Sequence, residues 1–381
     1  MPVRLLLLLA FLLPATARGD VDPYPLDDTL RLNHVQAIGT HNSYHLLSLL
    51  FPNGPPAMFD YEHAPLDVQL DEQGVRKFEL DVYWDLDLGF FRVHHENYFD
   101  KETSCETLVL CLGILRDWSL AHRGHHPILI MIEPKGIHSE FTLSDDPICD
   151  PPDFVVCHYD ELDAEIRAVL APETGEDLLI TPDEVRGSHA SLREAILADG
   201  WPTLRQTRGR FLGVMLGGLD FDGYTEGRTS LQGRALFIGS SPGRDDAAFL
   251  FRDDAAGREA EIAGLSALGY VLRTRADSLD DARVNDTTAR DAAFASGAHY
   301  ISTDFPVPEY LENGYFVQIP DGTPSRCNPV AAIGLECTPL DVENPAALVV
   351  PEPAAALLGL ASAGALVALR RRTQPRGTNS A

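Results

Sequence analysis

Apolar runs of five to eight residues alternate along the chain with longer stretches in which apolar positions recur at spacings of three and four. The short runs are His34–Thr40, Arg76–Tyr83, Phe90–His95, Pro127–Glu133, Arg210–Leu216, Arg234–Gly239, Tyr270–Arg275 and His299–Thr303, and each reads as a β-strand. Between them the pattern predicts helices over Thr107–His122, Leu162–Val169, Ser191–Asp199, Ala256–Ala267 and Thr288–Ser296. Eight strands alternating with helices over roughly 270 residues suit one α/β domain, a (β/α)8 barrel. Leu178–Thr181 is a possible extra strand. No internal repeat or low-complexity linker interrupts the alternation.

The two ends break the pattern. Arg4, the apolar run Leu5–Leu13 and Ala15-Thr16-Ala17 make the three parts of a secretory signal peptide, expected over residues 1–17. At the other end, Val350-Pro351-Glu352-Pro353 precedes an apolar stretch from Ala354 to Leu369, and Arg370, Arg371 and Arg372 follow. That stretch reaches roughly 24 Å as a helix, enough to span a bilayer with snorkelling arginines. It resembles the PEP-CTERM sorting tail of exopolysaccharide-producing Gram-negative bacteria, which implies export, an exosortase-like sorting enzyme as partner, and delivery to the cell surface or matrix. A plain C-terminal anchor is the alternative. The expected organisation is a signal peptide, a body over 18–350, a sorting or transmembrane tail over 351–372 and a short cytoplasmic tail over 373–381.

Charge narrows the partners. The 381 residues carry a formal net charge of −27, and the body over 18–350 carries 25 basic and 56 acidic residues. Such a surface excludes a nucleic-acid binder and non-specific adhesion to anionic lipid. It suits divalent cations. Six cysteines fit an exported protein, and nearest-neighbour pairing gives Cys105–Cys111, Cys149–Cys157 and Cys327–Cys337. A zinc site is the competing use of these cysteines, but their spacings lack the C-x2-C form.

In a barrel, chemistry sits at the C-terminal strand ends, and there this sequence is unusually polar. Glu79 and Asp81, two apart on a strand, share one face, while Phe78, Leu80 and Val82 take the other. Glu133 brings a third carboxylate from another strand, and Asn42 brings an amide oxygen. This all-oxygen set suits a hard cation such as Ca2+. Salt bridges to Lys135, Arg273 or Arg275 are the alternative use of the same carboxylates. His41 lies beside Asn42, and His95 ends a neighbouring run. Two histidines flanking a cation can serve as general base and general acid on a phosphodiester. Because His94 and His95 alternate in direction, only one can face the site.

Taken in order, Gly-Thr-His41-Asn42-Ser-Tyr, Glu79-Leu-Asp81-Val, Val-His-His95-Glu and Ile-Glu133-Pro-Lys resemble the phosphatidylinositol-specific phospholipase C superfamily, in its Ca2+-dependent secreted bacterial branch. Leu272-Arg273-Thr-Arg275-Ala-Asp277, Ser296-Gly-Ala and Ile-Ser-Thr-Asp304-Phe-Pro resemble the C-terminal half of that branch. The resemblance implies a phosphodiesterase in which His41 takes the proton of the inositol 2-hydroxyl. It implies that Asn42, Glu79, Asp81 and Glu133 hold Ca2+, and that His95 protonates the leaving diacylglycerol oxygen, giving a cyclic inositol phosphate. The family's acid histidine is followed by Gly or an acidic residue, which favours His95 over His94. Lys135 and Arg275 are expected to contact phosphate or the ring, and Asp304 to orient a histidine or a ring hydroxyl. The long gap before Glu79 holds a rim loop whose Phe51, Met58 and Phe59 are candidates for transient contact with a membrane surface, or for packing on the body. Two rival readings stand beside this one. A glycerophosphodiester phosphodiesterase shares the barrel but begins its first motif with His-Arg-Gly. A non-catalytic matrix protein fits the sorting tail but leaves both histidines unexplained.

Overall fold

The computed structural model describes residues 22–48, 50–51, 56, 59–138, 148, 157–216, 222–320 and 324–348. The expected signal peptide, the sorting tail and most of the rim loop, Met58 included, lie outside them. Among the described residues no helix is long and apolar enough to cross a membrane.

Eleven strands are described: β1 Val35–Thr40, β2 Lys77–Asp85, β3 Phe90–Val93, β4 Ile128–His138, β5 Leu179–Ile180, β6 Phe211–Met215, β7 Phe237–Ile238, β8 Phe249–Asp254, β9 Val271–Arg275, β10 Tyr300–Thr303 and β11 Ser325–Cys327. Parallel ladders join β2 to β4, β4 to β6, β6 to β7, β8 to β9, β9 to β10 and β10 to β1. A parallel bridge between Gly239 and Phe249 links β7 to β8. The circuit closes at β1 and β2, where the Arg76 amide donates to the Ile38 carbonyl at 3.0 Å. Eight parallel strands therefore ring the barrel. Between them lie helices over Leu66–Asp71, Leu108–Ala121, Tyr159–Leu170, Leu192–Ala198, Glu259–Ala267 and Thr288–Ala295, together with shorter turns of helix. Thr107 and Ser191 cap two of these helices by accepting the amides of Leu110 and Glu194.

Two strand assignments differ from the sequence pattern. Phe90–His95 was expected as a barrel strand. Instead, Phe90–Val93 folds back antiparallel on β2, pairing Val82 with Val93 and Asp85 with Phe90. Only residues 86–89 connect the two strands, and a parallel crossover needs about a dozen or more. The turn is fixed by Asp85, whose carboxylate accepts the amides of Asp87 and Leu88, and by Gly89 at φ 70°. The barrel strand that the pattern missed is β8. It follows β7 through a loop without a crossover helix, and it turns charged at Asp253 and Asp254. The possible strand at Leu178–Thr181 exists as β5, paired with the start of β6.

The outward faces of the strands build the core. Phe78, Leu80 and Val82 are fully buried among the helices, which leaves Lys77, Glu79 and Asp81 to point inward. At the barrel's N-terminal end, β11 pairs antiparallel with the start of β1, and the Cys327–Cys337 disulfide ties the following turn down. Cys105–Cys111 is likewise bonded. Cys157 is disulfide-bonded, and its expected partner, Cys149, lies outside the described residues.

Candidate active site

The turn after β1 is built to hold His41 and Asn42 against β2. Asn42 sits at φ 43°, a left-handed conformation that asparagine tolerates better than most residues. Ser43 stitches the turn in place. Its amide donates to the Glu79 carbonyl at 2.9 Å, and its hydroxyl accepts the Glu79 amide at 2.8 Å. His41 Nδ1 lies 3.0 Å from Asp304 Oδ1 at the end of β10, which leaves Nε2 facing Glu79, 3.8 Å from Oε1. Asp304 also lies 3.6 Å from Arg275. Burial alone would raise the Asp304 carboxyl, but His41 and Arg275 outweigh it and hold the group below its ordinary range.

The β2–β4 register sets Asp81 directly beside Glu133. One oxygen each from Glu79, Asp81 and Glu133 fall within 4.8 Å of one another. Their surroundings differ. Glu79 Oε2 is met by the Lys77 ammonium and by Arg273 Nη2, the latter at 3.3 Å. Burial pushes the Glu79 carboxyl up, yet those two cations hold it well below the usual range. Asp81 meets a single cation at longer range. Lys135 stands 3.7 Å from it and 3.4 Å from Glu133, but both Asp81 oxygens are buried without a hydrogen bond of ordinary geometry. The buried Oδ1 of Asn42 is in the same state, and so is the Tyr44 hydroxyl. Burial, reinforced by the Glu133 charge, drives the Asp81 carboxyl well above its ordinary range. An ionised carboxylate left this way costs several kcal/mol unless a cation joins it.

The second histidine comes from the segment after β3. His94 is buried, stacked on Tyr83 at 4.3 Å, with Nε2 2.9 Å from Asn97 Oδ1. His95 points the other way and is partly exposed. Its Nδ1 lies 2.7 Å from Asp100 Oδ2, and the same oxygen lies 2.8 Å from His45 Nε2. Tyr61 stands between the two histidine systems. Its ring stacks on His45 at 4.4 Å and lies 6.0 Å from His41, and its hydroxyl accepts from Asn42 Nδ2 at 2.8 Å. Beside His41 opens a cleft of roughly 450 Å3 lined by Tyr61, Asp253, Arg275, Asp277 and Asp304 among others, within the size range of small-molecule sites.

The sequence matches the family described as phosphoinositide phospholipase C, Ca2+-dependent, over residues 30–95 and 86–329. The chain belongs to this family. It is an enzyme of the phosphoric diester hydrolase class, on a phospholipase C-type barrel whose family depends on Ca2+. Among solved structures it is similar to a calcium-dependent phosphoinositol-specific phospholipase C from a Gram-negative bacterium, Pseudomonas sp.. The two are 17% identical, with a TM-score of 0.51, covering 80% of this chain and 98% of that one. A form of that protein in complex with myo-inositol compares equally, at 18% identity and a TM-score of 0.51 over 80% and 98% of the two chains. It is also similar to a Ca2+-dependent phosphatidylinositol-specific phospholipase C from Streptomyces antibioticus, at 20% identity and a TM-score of 0.50 over 73% and 95% of the two chains. No curated protein matches the sequence.

For a Ca2+-dependent phospholipase C the donor set is apt. The oxygens of Asn42 and Asp81 are hard donors beside two further carboxylates, and none of the three has a hydrogen bond of ordinary geometry from the protein. The competing use of these carboxylates, internal salt bridging, is realised at Glu79 through Lys77 and Arg273, and at longer range at Asp81 and Glu133 through Lys135. Lys135, expected at phosphate or the ring, faces Asp81 and Glu133, and Asp304 faces His41. Arg275 lines the cleft.

Four residues that the structure brings to this cluster were not picked out from the sequence: Lys77, His45, Tyr61 and Asp100. Lys77 had a signal, since it precedes Glu79 by two and shares its face. Its stem passes where a Gly39 side chain would stand, because a Cβ there would lie 2.3 Å from Lys77 Cδ. Glycine is therefore required at position 39 for the ammonium to reach the Thr40 carbonyl and Ser302 Oγ, at 2.9 and 3.0 Å. Burial lowers this ammonium to about 8, against the pull of Glu79. Tyr61 and Asp100 lie on irregular connections, where no periodicity marks the inward side.

Proposed function

We propose that the enzyme cleaves phosphatidylinositol-type diesters by general acid–base catalysis, with His41 as base and His95 as acid. The observation that carries this reading is that each of the two histidines has its Nδ1 committed to a buried carboxylate, Asp304 for His41 and Asp100 for His95. Both rings are thereby left with Nε2 for chemistry. Asn42, Glu79, Asp81 and Glu133 would hold Ca2+ between them. A bound Ca2+ would supply charge neutralisation at the phosphoryl oxygens as negative charge builds there.

His41 Nε2 takes the proton of the inositol 2-hydroxyl, and that oxygen attacks phosphorus. The bond from phosphorus to the diacylglycerol oxygen breaks as His95 Nε2 gives its proton to that oxygen. The product is a 1,2-cyclic inositol phosphate, which water can open with the two histidines in exchanged roles. Arg275, in the cleft wall beside Asp304, would contact the phosphate or the ring, and Lys135 would balance the carboxylates facing the metal. The myo-inositol complex of the similar Pseudomonas protein supports an inositol head group. The first and last segments of the sequence support export and delivery to the cell surface or matrix, which amino-terminal sequencing of the mature protein would test.

Phosphorus NMR of the purified protein with phosphatidylinositol tests the mechanism. In calcium a cyclic phosphate signal should grow, and excess chelator should abolish it. His41→Ala and His95→Ala should each lower the rate by about 100-fold or more. Turnover of glycerophosphodiesters without cyclic product would reassign the enzyme to the glycerophosphodiesterase reaction.

A further inference from the structure

His95 lies beyond the end of β3, so no strand ladder fixes it, yet a proton donor must be held to within a fraction of an ångström. The structure supplies other restraints. The Tyr83 hydroxyl donates to the His95 carbonyl at 2.9 Å. The Glu96 amide donates to the Asp100 carbonyl at 3.0 Å, closing a tight loop that returns the Asp100 side chain beneath the His95 ring. Asp100 is fully buried, and a single oxygen, Oδ2, serves both His95 and His45. Its other oxygen, Oδ1, is buried without a hydrogen bond, so among the described residues the two imidazoles orient this carboxylate. His45 is itself fully buried, and its Nδ1 is tied to the Tyr61 carbonyl at 2.9 Å. The edge of Phe59 closes the remaining side of His95 at 5.3 Å.

We propose that Asp100 is a positioning residue for His95, anchored from behind by His45, and that together they aim His95 Nε2 at the leaving oxygen. This rests on the reading of His95 as the acid. By accepting the Nδ1 proton, Asp100 fixes both the tautomer and the plane of the ring. Nε2 is then the only nitrogen that can carry a proton toward the leaving group. A carboxylate that merely stapled its loop to the β1 turn would need His45 but not a partly exposed His95.

The leaving group separates these roles. Diacylglycerol departs as a poor alkoxide and needs a proton, whereas 4-nitrophenolate departs without one. Steady-state kinetics in saturating calcium would compare phosphatidylinositol with the 4-nitrophenyl ester of inositol 1-phosphate. Asp100→Asn should lower kcat on the lipid about 10- to 100-fold with little change in KM. On the aryl ester it should stay within about threefold. Adding Asp100→Asn to His95→Ala should cost nothing further, because the two act as one unit. Equal loss on both substrates, or no loss on either, overturns the proposal. Should Asp100→Asn not fold, His45→Gln carries the same test: a selective loss on the lipid supports the anchor, and equal loss on both substrates overturns it. His95→Ala is read alongside. If it too fails to distinguish the substrates, the acid assignment itself falls. If it distinguishes them and Asp100→Asn does not, only the positioning proposal falls.

Discussion

Glu79 and Asp81 stand two residues apart on one face of β2, and they differ in what meets them. Glu79 is met by Lys77 and Arg273, while Asp81 keeps two buried oxygens without hydrogen bonds. Neutralising each should therefore have opposite effects on the calcium-free protein. Glu79→Gln leaves the buried Lys77 ammonium without its carboxylate, while Arg273 keeps Asp253, and should destabilise by about 3–5 kcal/mol, with or without calcium. Asp81→Asn replaces a carboxyl that burial and Glu133 already push toward its neutral form with an amide of nearly the same shape, so in excess chelator its Tm should equal or exceed that of the wild type. In calcium the order should reverse. The wild type gains about 2.7 kcal/mol at a hundred times the dissociation constant, and Asp81→Asn gains little of this. Thermal melts in chelator and in calcium check both variants. An Asp81→Asn protein that melts low in chelator and still rises fully in calcium would remove Asp81 from the metal set. At this scale the inward face of β2 was readable, because a period of two needs no knowledge of the fold. His45 and Asp100 were not, because they meet His95 only after two irregular connections fold together.

The elements were legible where a crossover helix separated two apolar runs, and misread where none did. The expected helices over Thr107–His122 and Thr288–Ser296 differ from those observed by one residue at most at either end. The errors fell at β3, whose four-residue connection forbids a parallel partner, and at β8, which follows β7 without a helix. The β3 hairpin in turn creates a contact that only the structure reveals. Glu165, on the helix Tyr159–Leu170, accepts the Phe91 amide at 3.0 Å, while its second oxygen is buried without a hydrogen bond. Burial raises this carboxyl to about 7, although the amide opposes the shift. The folded group thus binds its proton more tightly than an unfolded glutamate, whose pKa is about 4.3. Its contribution to stability is full below that value, falls as the pH rises through about 7, and stays lost above. Glu165→Gln should match the wild type at pH 4 and exceed it at pH 8 by about 1 kcal/mol, a figure discounted for partial exposure. Urea titrations at the two pH values measure the difference. Equal gains at both would mean that the glutamine acts through packing instead of charge.

Across the whole molecule the barrel carries a buried charge cluster at each end, and the two are built on different logic. At the C-terminal end the polar set is unevenly satisfied: Glu79 is closely met by Lys77 and Arg273, while Asp81 has only Lys135 at 3.7 Å and no hydrogen bond of ordinary geometry. At the N-terminal end the cluster is complete. Arg76 Nε lies 3.0 Å from both oxygens of Glu343, and its Nη1 donates to the Leu70 and Val75 carbonyls at 2.8 Å. Both side chains of the pair are fully buried. Glu343 arrives with the last described segment, in which Val342 packs with Leu30, Val35 and Leu204, so this segment closes the end of the barrel that carries no chemistry. Removing Glu343 leaves a buried guanidinium without its carboxylate, and Glu343→Gln should cost about 3–5 kcal/mol. Because the two clusters share no partner and lie at opposite ends of the strands, their effects should add to within about 0.5 kcal/mol. Glu343→Gln should therefore lower the melting temperature equally in chelator and in calcium, keeping the full calcium-induced rise. Asp81→Asn should lose that rise, and the double variant should show both effects unchanged in size. A calcium-induced rise that shrinks in Glu343→Gln alone would mean that closing one end of the barrel sets the geometry of the other, and the two ends would then have to be treated as one coupled structure.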